Sequence, residues 1–377
     1  MALEDKTKPA PKPESAWLEA AFMRAAERDL ELRMKLEQRT PKAFALPAPL
    51  TPPAPEVRYG SEREAGIKAG ATQRLRQAAN AWAKDDPNGF VVLVARRGVI
   101  FYHEGFNGLR KDAGFWPASI GKTLAGLLFG RAVDQKLVEL DQPVSSVMPD
   151  WAYPATSRVT FRHCFTHVSG LRGHRSFGGL FNAYLDSALL SQDAAFAEPL
   201  QHSIYNGDAY NLAGLGLELL TGRPVWRLMH EHLQLPFGEK ATQYDLGAGS
   251  SYTALYLAKV GQMLLQDGAY GGHRFFSKGF LPTLWPRKVV ESAPELDDRK
   301  IEAGIGIDFQ VDPSGPREKG VLGPNVVGHG AASGATFRVA PEQQLVIVVG
   351  RSGNKDWSAN ERNASKFVAA VAAELAP

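Results

Sequence analysis

The residues best suited to chemistry are Ser119 and Lys122, which stand three positions apart in the stretch 117–123 (PASIGKT). At the start of a predicted helix, that spacing places both side chains on one face, a turn apart. A serine hydroxyl is a poor nucleophile unless a neighbouring base takes its proton. A lysine can act as that base when burial lowers its pKa. The pair therefore indicates nucleophilic catalysis, with a simple helix cap at Ser119 as the alternative.

The same stretch also ends like a phosphate-binding loop, because glycine, lysine and threonine follow one another at 121–123. That loop needs a further glycine five residues before Gly121, where this chain has Trp116. The sequence also lacks the G-x-S-x-G motif of α/β-hydrolases and the H-E-x-x-H motif of zinc proteases. We therefore expect an enzyme that uses neither a metal ion nor a cofactor.

Strand patterns flank a long helical stretch. An apolar run at Phe90–Ala95 and a second run at Val99–His103 predict two strands joined by a turn at 97–98. Residues 120–295 have a mostly helical pattern. Beyond them, four strands and a closing helix are predicted at Ile305–Val311, Val326–Gly328, Ala335–Val339, Leu345–Val349 and Ser358–Leu375.

This order of elements predicts an α/β (α+β) domain that an all-helical segment interrupts. We assign residues 59–118 and 300–377 to the sheet domain, and residues 119–299 to the helical domain. The side chains of Ser119 and Lys122 would then lie at the junction between the two parts of the chain.

The first 58 residues differ from this body. Apolar residues at three-to-four-residue spacing predict a helix over 15–39 that packs on the body, with a partner-binding arm as the alternative. Six prolines over 41–55 predict a stiff, extended connector. Residues 1–14 lack the apolar run of a signal peptide. This leaves two alternatives, a cytoplasmic protein and the mature form of an exported one.

Composition excludes several classes of function. The chain has 377 residues with 43 basic and 40 acidic side chains, a net charge of +3, and this balance gives no argument for a nucleic-acid partner. No run of about 18 apolar residues occurs, so we expect no membrane span. The single cysteine, Cys164, excludes an intramolecular disulfide and a multi-cysteine metal site. The oligomeric state is left open.

Motifs that follow the Ser119–Lys122 pair in the sequence indicate how the pair is used. Residues 137–144 (LVELDQPV) and 166–171 (THVSGL) follow it in an order that closely resembles the serine β-lactamase and penicillin-binding-protein-like superfamily. The match is to the branch with class C β-lactamases, DD-peptidases and family VIII carboxylesterases, and it covers about residues 65–375. The resemblance implies a β-lactamase/transpeptidase-like fold, with a mixed antiparallel sheet, flanking helices and an all-helical domain. It also implies that His167 orders a loop beneath the site.

A second element of that family is a tyrosine and an asparagine two positions apart. The resemblance places the tyrosine at Tyr205, as a partner of Lys122 in proton transfer, but it places the asparagine position at Gly207. Either Asn206 supplies the substrate-binding amide from one position earlier, or the amide is missing.

The third element is the segment 328–334 (GHGAASG) before a predicted strand. By resemblance, His329 stands where β-lactamases usually carry lysine, and Ala331 stands where the second glycine usually lies. His329 and Gly330 would line the substrate site. The backbone N–H groups of Ala332 and Ser119 would form the oxyanion hole.

Together these features predict acyl transfer through an acyl-enzyme, with Ser119 as nucleophile and Lys122 and Tyr205 as proton carriers. The partner is a small-molecule ester or amide. Loss of the usual lysine and asparagine favours a carboxylesterase on small acyl esters. The alternatives are a DD-peptidase or amidase with weak β-lactamase activity, and an inactive member that only binds a ligand.

Overall fold

The computed structural model describes residues 24, 27–149, 157–171, 203, 205–240, 243, 245–289, 302–310 and 319–376. The segment 1–14, most of the predicted N-terminal helix before residue 27, and Val311 of a predicted strand lie outside the described residues. Among the described residues, no helix is both long enough and apolar enough to cross a bilayer.

Strands at both ends of the body form the main sheet. The strands in chain order are β1 (Ala48–Ala54), β2 (Arg58–Tyr59), β3 (Phe90–Arg96), β4 (Val99–Phe106), β5 (Ala269–Arg274), β6 (Arg287–Lys288), β7 (Glu302–Ala303), β8 (Asp308–Phe309), β9 (Val327–Gly330), β10 (Thr336–Ala340) and β11 (Leu345–Gly350). Seven of them form one sheet in the order β2-β4-β3-β11-β10-β9-β8. Every pair in this sheet is antiparallel except β2 with β4.

The helices pack around this sheet. In chain order they are α1 (27–36), α2 (Ala71–Asp85), α3 (Gly121–Asp134), α4 (Phe161–Phe165), α5 (Asp208–Thr221), α6 (Val225–Met229), α7 (Ala254–Leu265) and α8 (Trp357–Ala373). α2 and α8 cover one face of the sheet, and α7 packs on β3, β10 and β11. The expected mixed antiparallel sheet with flanking helices is confirmed.

Strand β3 shows why the sheet is covered on both faces. All seven of its residues are buried, and successive side chains enter different clusters. Val91 and Leu93 join the core shared with the helical region, whereas Phe90 and Val92 join the core under α2 and α8. Because side chains alternate along a strand, a continuous apolar run is stable only where both faces are covered.

A two-residue turn sets the register of β3 against β4. Arg97 and Gly98 have φ angles of 52° and 77°, so both adopt the left-handed region. Two such residues form the type I′ turn whose twist matches an antiparallel hairpin. The predicted hairpin at 97–98 has this geometry.

The proline-rich segment, predicted to be a stiff, extended connector, contains a strand. Residues 48–54 form β1, which pairs antiparallel with β5 of the helical region. β5 itself is a strand inside the stretch expected to be mostly helical. Proline removes an N–H donor but tolerates an edge strand, so the prolines are compatible with this two-stranded pairing. The segment is extended, as expected, but it packs on the body instead of spanning a gap.

Backbone and side-chain contacts also hold residues 39–45 against the helical region. The Lys42 N–H donates to the Leu220 carbonyl at 2.8 Å, and the Lys42 Nζ donates to the Leu137 carbonyl at 2.9 Å. Arg131 of α3 donates to the Ala45 carbonyl at 2.7 Å. Since α3 also carries Lys122, the N-terminal segment stabilises the helix that positions the predicted site.

A buried ion pair fixes the end of β11 to the helical layer on one face. Arg351 is 0% and Asp86 is 4% exposed, and their side chains approach to 2.8 Å. The Arg351 guanidinium lowers the pKa of Asp86, although burial acts in the opposite direction. Arg351 also donates to the Asn360 side chain in α8. The pair therefore ties β11, the end of α2 and α8 together.

We expect Arg351→Met to lower the free energy of unfolding by about 3–5 kcal/mol, because it leaves the Asp86 carboxylate buried without its partner. Arg76→Met is the matched control. It breaks the Arg76–Glu104 pair, whose side chains are 48% and 31% exposed, and should cost less than about 1 kcal/mol. Urea unfolding measures both. Equal losses of unfolding free energy in the two variants would contradict the assignment of Arg351–Asp86 as a buried, stabilising ion pair.

Candidate active site

Ser119 lies on a short 3₁₀ turn, Ala118–Ile120, which leads directly into α3. The residue before it, Ala118, is 3% exposed and has a φ of 45°, a conformation that costs energy for a residue with a Cβ atom. Strand β9 packs against this turn. Strain of this kind often accompanies functional residues, and here it orients the backbone that presents Ser119.

Lys122 lies in the first turn of α3 and is only 2% exposed. Its Nζ donates a hydrogen bond to the carbonyl of Gly247. The same ammonium lies 4.6 Å from the ring centroid of Tyr205 and 5.4 Å from that of Tyr210. Aromatic faces attract a cation within about 6 Å. These contacts fix the amine beside Tyr205.

Burial lowers the pKa of Lys122 to about 8, because the charged form loses its hydration. The carboxylates of Asp245, Asp308 and Asp208 act in the opposite direction and favour the charged form. Together these effects leave a substantial fraction of Lys122 as the neutral amine at moderately alkaline pH. That is the property a general base requires.

Tyr205 connects Lys122 to Ser119. Burial raises the pKa of the Tyr205 hydroxyl to about 12, and the nearby Ser119 side chain acts in the opposite direction. The residue as a whole is 57% exposed, so its hydroxyl end is confined while part of its ring faces solvent.

His167 supports Tyr205 from behind. Its ring stacks on the Tyr205 ring at 4.3 Å between centroids. Its Nδ1 accepts a hydrogen bond from the backbone N–H of Asn206 at 3.0 Å. Burial, with the charges of Lys122 and His329, lowers the pKa of His167 to about 3. His167 is therefore a neutral ring that positions Tyr205, which agrees with the loop-ordering role implied by the resemblance.

The hydrogen bonds of Asn206 bear on the two alternatives left open for this residue. Its side-chain oxygen accepts from the backbone N–H groups of Asp208 and Ala209, and its amide nitrogen donates to the Leu171 carbonyl at 3.2 Å. Both ends of this buried amide are thus used inside the protein. Because helix starts leave N–H groups without partners, we interpret Asn206 as a cap of α5 and not as the substrate-binding amide.

Position 207, where the family asparagine is expected, has room for a Cβ atom. A Cβ atom built on Gly207 would lie 3.6 Å from the Gly247 Cα and 3.9 Å from the Lys122 Nζ, which is ordinary contact. The missing amide is therefore not replaced from position 206 in this structure. Lys122 instead uses the Gly247 carbonyl as its acceptor.

The loop 245–249 reaches Lys122 because Gly121 has no side chain. A Cβ atom on Gly121 would lie 2.2 Å from the backbone nitrogen of Gly249. Gln243 also holds this region against α3, because its side chain donates to the Gly121 carbonyl at 3.1 Å. The glycine in the GKT sequence thus serves close packing of this loop on the first turn of α3.

His329 lies in β9 and is 5% exposed. Its Nδ1 lies 2.5 Å from the Gly330 carbonyl, and its Nε2 lies 3.6 Å from Oδ2 of Asp308. Burial lowers the pKa of His329, and Lys122 acts in the same direction, whereas Asp308 acts against them. We therefore assign the neutral ring at neutral pH, so no fixed cation stands at this position.

A tight turn follows β9. The Gly334 N–H donates to the Ala331 carbonyl at 2.8 Å. Ala332, inside this turn, is exposed, whereas Ala331 and Ser333 are buried. Because β9 packs against the turn that holds Ser119, the backbone at 330–332 and Ser119 lie on adjoining segments.

Comparison with known proteins identifies the family. The family model described as Beta-lactamase matches residues 76–371, which is most of the chain. The chain belongs to the β-lactamase family. This confirms the resemblance that the sequence motifs indicated, and it makes the protein a member of a family of serine hydrolases.

Individual β-lactamase-family relatives include esterases. The chain is 29% identical over 181 residues to esterase EstB of Burkholderia gladioli, covering 40% of this chain and 45% of that protein. The match thus spans less than half of the relative. A putative β-lactamase of Bacteroides dorei has a TM-score of 0.66 and 19% identity, covering 80% of this chain and 99% of the other. A family VIII carboxylesterase has a TM-score of 0.61 and 18% identity, covering 81% and 98%.

Sequence reasoning missed several residues around Lys122 in this β-lactamase-family site. Asp245, Gly247, Tyr210 and Asp308 all act on its amine by charge, hydrogen bond or ring contact. They are distant from Ser119 in sequence and carry no motif spacing. The closest available signal is the pair of glycines at 247 and 249.

Gly247 and Gly207 provide a matched test of this arrangement. A Cβ atom on Gly247 would lie 3.0 Å from the Gly207 Cα and 3.1 Å from its carbonyl oxygen, which are backbone atoms that cannot rotate away. We expect Gly247→Ala to displace the acceptor of Lys122 and lower kcat by about tenfold to a hundredfold. Gly207→Ala has ordinary contacts and should keep kcat within about threefold.

Both variants should retain the wild-type circular dichroism spectrum, which separates a local displacement from unfolding. Similar kcat values for the two variants would mean that the Gly247 carbonyl does not position Lys122.

Proposed function

We propose that this protein is a carboxylesterase that hydrolyses small acyl esters through an acyl-enzyme on Ser119. The observation that carries the proposal is that Tyr205 lies against the buried amine of Lys122, 4.6 Å from its ring centroid, while the Ser119 side chain acts on its hydroxyl. A nucleophile, a proton carrier and a base of lowered pKa are thus assembled at one point. The esterase names of EstB and the family VIII carboxylesterase support the same reaction class.

The two pKa values favour Lys122 as the base. Lys122, at about 8, loses its proton several pH units before Tyr205, at about 12. A free amine is therefore far more abundant than a tyrosinate near neutral pH. Lys122 is the final proton acceptor, and the Tyr205 hydroxyl passes the proton from Ser119 to it.

The first step forms a bond between Ser119 Oγ and the ester carbonyl carbon. The serine proton moves by way of Tyr205 to Lys122 while the carbonyl oxygen becomes an oxyanion. The backbone N–H groups of Ser119 and Ala332 stabilise this oxyanion, and each such donor contributes about 3 kcal/mol. The tetrahedral intermediate then collapses, the alcohol leaves with the proton, and an acyl-enzyme remains.

Water completes the cycle. It attacks the acyl carbonyl, gives a proton to the Lys122–Tyr205 pair, and Ser119 leaves as its hydroxyl while the carboxylic acid is released. The same groups serve both half-reactions. In the first they carry the serine proton to the leaving alcohol, and in the second they carry a water proton back to Ser119.

The character of His329 supports esters over β-lactams. A neutral, buried imidazole gives a substrate carboxylate little attraction, whereas a permanently charged lysine would attract it. Glycine at position 207 also supplies no side-chain amide that could hold a peptide-like substrate. Neutral short-chain esters need neither contact.

Ser119→Ala should abolish covalent labelling by a fluorophosphonate probe and lower kcat on p-nitrophenyl butyrate by about 10⁶-fold, because the nucleophile of a coupled unit is lost. Ser61→Ala removes an exposed serine and should label and turn over as the wild type does. Mass spectrometry of the labelled protein locates the modified residue.

The result that overturns the proposal is a Ser119→Ala variant that still turns over every ester tested. An unlabelled wild-type protein with no ester hydrolysis would instead favour the inactive, ligand-binding alternative. Cephalosporin hydrolysis faster than any ester would favour the β-lactamase alternative.

The pH profile tests the role of Lys122. As pH rises through about 8 the amine loses its proton, so kcat/KM on a neutral ester should rise along a limb with an apparent pKa of about 8. Lys122→Arg keeps a cation that cannot deprotonate and should remove the activity and its rising limb. An ascending limb centred near pH 6 in the wild type would assign the base to another group.

A further inference from the structure

Two hydrogen-bond acceptors face each other at the edge of the site. The Nδ1 of His329 lies 2.5 Å from the Gly330 carbonyl. A carbonyl oxygen can only accept, so Nδ1 carries the proton and the neutral ring leaves a lone pair on Nε2. That lone pair lies 3.6 Å from Oδ2 of Asp308, which is also an acceptor.

Nothing in the described part of the chain donates to this nitrogen. The His329 Nε2 atom is buried and has no hydrogen-bond partner among the described residues, in a residue that is 5% exposed. A buried polar atom without a partner is destabilising, so the position calls for a donor. The Asp308 side chain is 37% exposed, which gives a donor a route from solvent to the space between the two acceptors.

The charged side chains of the site are mainly negative, which suits a cationic donor. The carboxylates of Asp208, Asp245 and Asp308 all act on Lys122, the one cationic side chain among these described groups. Asp308 also acts on Tyr205 and on His329. A concave site lined mainly by one sign of charge concentrates ligands of the opposite sign. Here that sign favours a cation and disfavours a substrate carboxylate.

We propose that Asp308 and His329 form a subsite for a substrate ammonium group, so that the preferred substrates are esters with a primary amine close to the scissile carbonyl. This inference rests on the esterase activity proposed above and names its substrate class. An ammonium has three N–H donors. One donates to the His329 Nε2 and a second donates to the Asp308 Oδ2, which satisfies both acceptors at once.

The amine takes no part in bond making. It positions the ester while Ser119, Tyr205 and Lys122 carry out acyl transfer. Asp308 is therefore a specificity-determining residue, and its effect should appear in the choice between substrates. A proton shared between His329 and Asp308 would be the competing way to satisfy the two acceptors, and it would leave no preference for an amine.

The experiment compares an amino ester with a neutral ester of the same shape. The p-nitrobenzyl esters of L- and D-alanine carry an ammonium where the isobutyrate ester carries a methyl group, and those of β-alanine and butyrate form a second pair at greater reach. In the wild type we expect at least one amino ester to exceed its neutral partner in kcat/KM by about tenfold to a hundredfold, the range for hydrogen bonds to a charged group.

Asp308→Asn should bring that ratio down to about one or below, because the carboxylate is lost and the amide offers N–H donors of its own. Asp308 also influences the pKa of Lys122, and the substitution can shift the pH profile. That shift affects both esters of a pair equally, so it cancels in the ratio. Asp308→Glu, which retains a carboxylate, should recover part of the preference.

Asp112→Asn is the control for loss of an acidic group away from the site. Asp112 pairs with Arg110, and both side chains are mostly exposed, so this variant should keep the wild-type ratio. An alkylammonium ion such as n-butylammonium should also compete with the neutral ester in the wild type and lose that effect in Asp308→Asn.

The outcomes separate the two proposals. A wild type that hydrolyses neutral esters but shows ratios of one or less for every pair would overturn the ammonium subsite and leave the esterase assignment standing. A ratio unchanged in Asp308→Asn would overturn the role of Asp308. Absence of both ester hydrolysis and fluorophosphonate labelling would overturn the esterase activity itself.

Discussion

The constraint on which the rest of the site depends is the burial of the Lys122 amine. An ammonium removed from water is unstable unless nearby groups replace its hydration. Here the Gly247 carbonyl and two aromatic faces do so in part, and carboxylates a little farther away restore some of the charged form. The incomplete compensation leaves an amine that gives up its proton near the pH at which an enzyme works, which a surface lysine does not do.

The fold makes that burial possible by joining distant parts of the chain. The 3₁₀ turn with Ser119 leads into the first turn of α3, which carries Lys122. The loop 245–249 closes on this turn of α3 because Gly121 has no side chain, and β9 packs against the 3₁₀ turn from the C-terminal part of the sheet. The N-terminal residues 39–45 fix the far end of α3. These side chains are therefore positioned by the packing of separate segments. Small displacements of the backbone should lower the catalytic rate.

The departures from the family pattern all concern groups that would hold a substrate. Gly207 has no side-chain amide, Asn206 is used to cap α5, and His329 is a neutral ring where a lysine would be a fixed cation. Together they remove groups that would hold a carboxylate-bearing, peptide-like substrate. Asp308 adds negative charge at the same edge. These departures support the proposal of an acyl-transfer site whose preference for substrates differs from that of a β-lactamase.

The sequence by itself determined the family, the mixed sheet with flanking helices and the hairpin at 97–98, because apolar periodicity, turn residues and short motifs are local properties of the chain. It also indicated that His167 is structural. Only the tertiary structure decided that residues 48–54 pair with β5, that Asn206 is a cap, and that Asp245 and Asp308 surround Lys122. Those facts depend on contacts between residues far apart in sequence, and no local pattern encodes which carbonyl or carboxylate the folded chain brings to a buried amine.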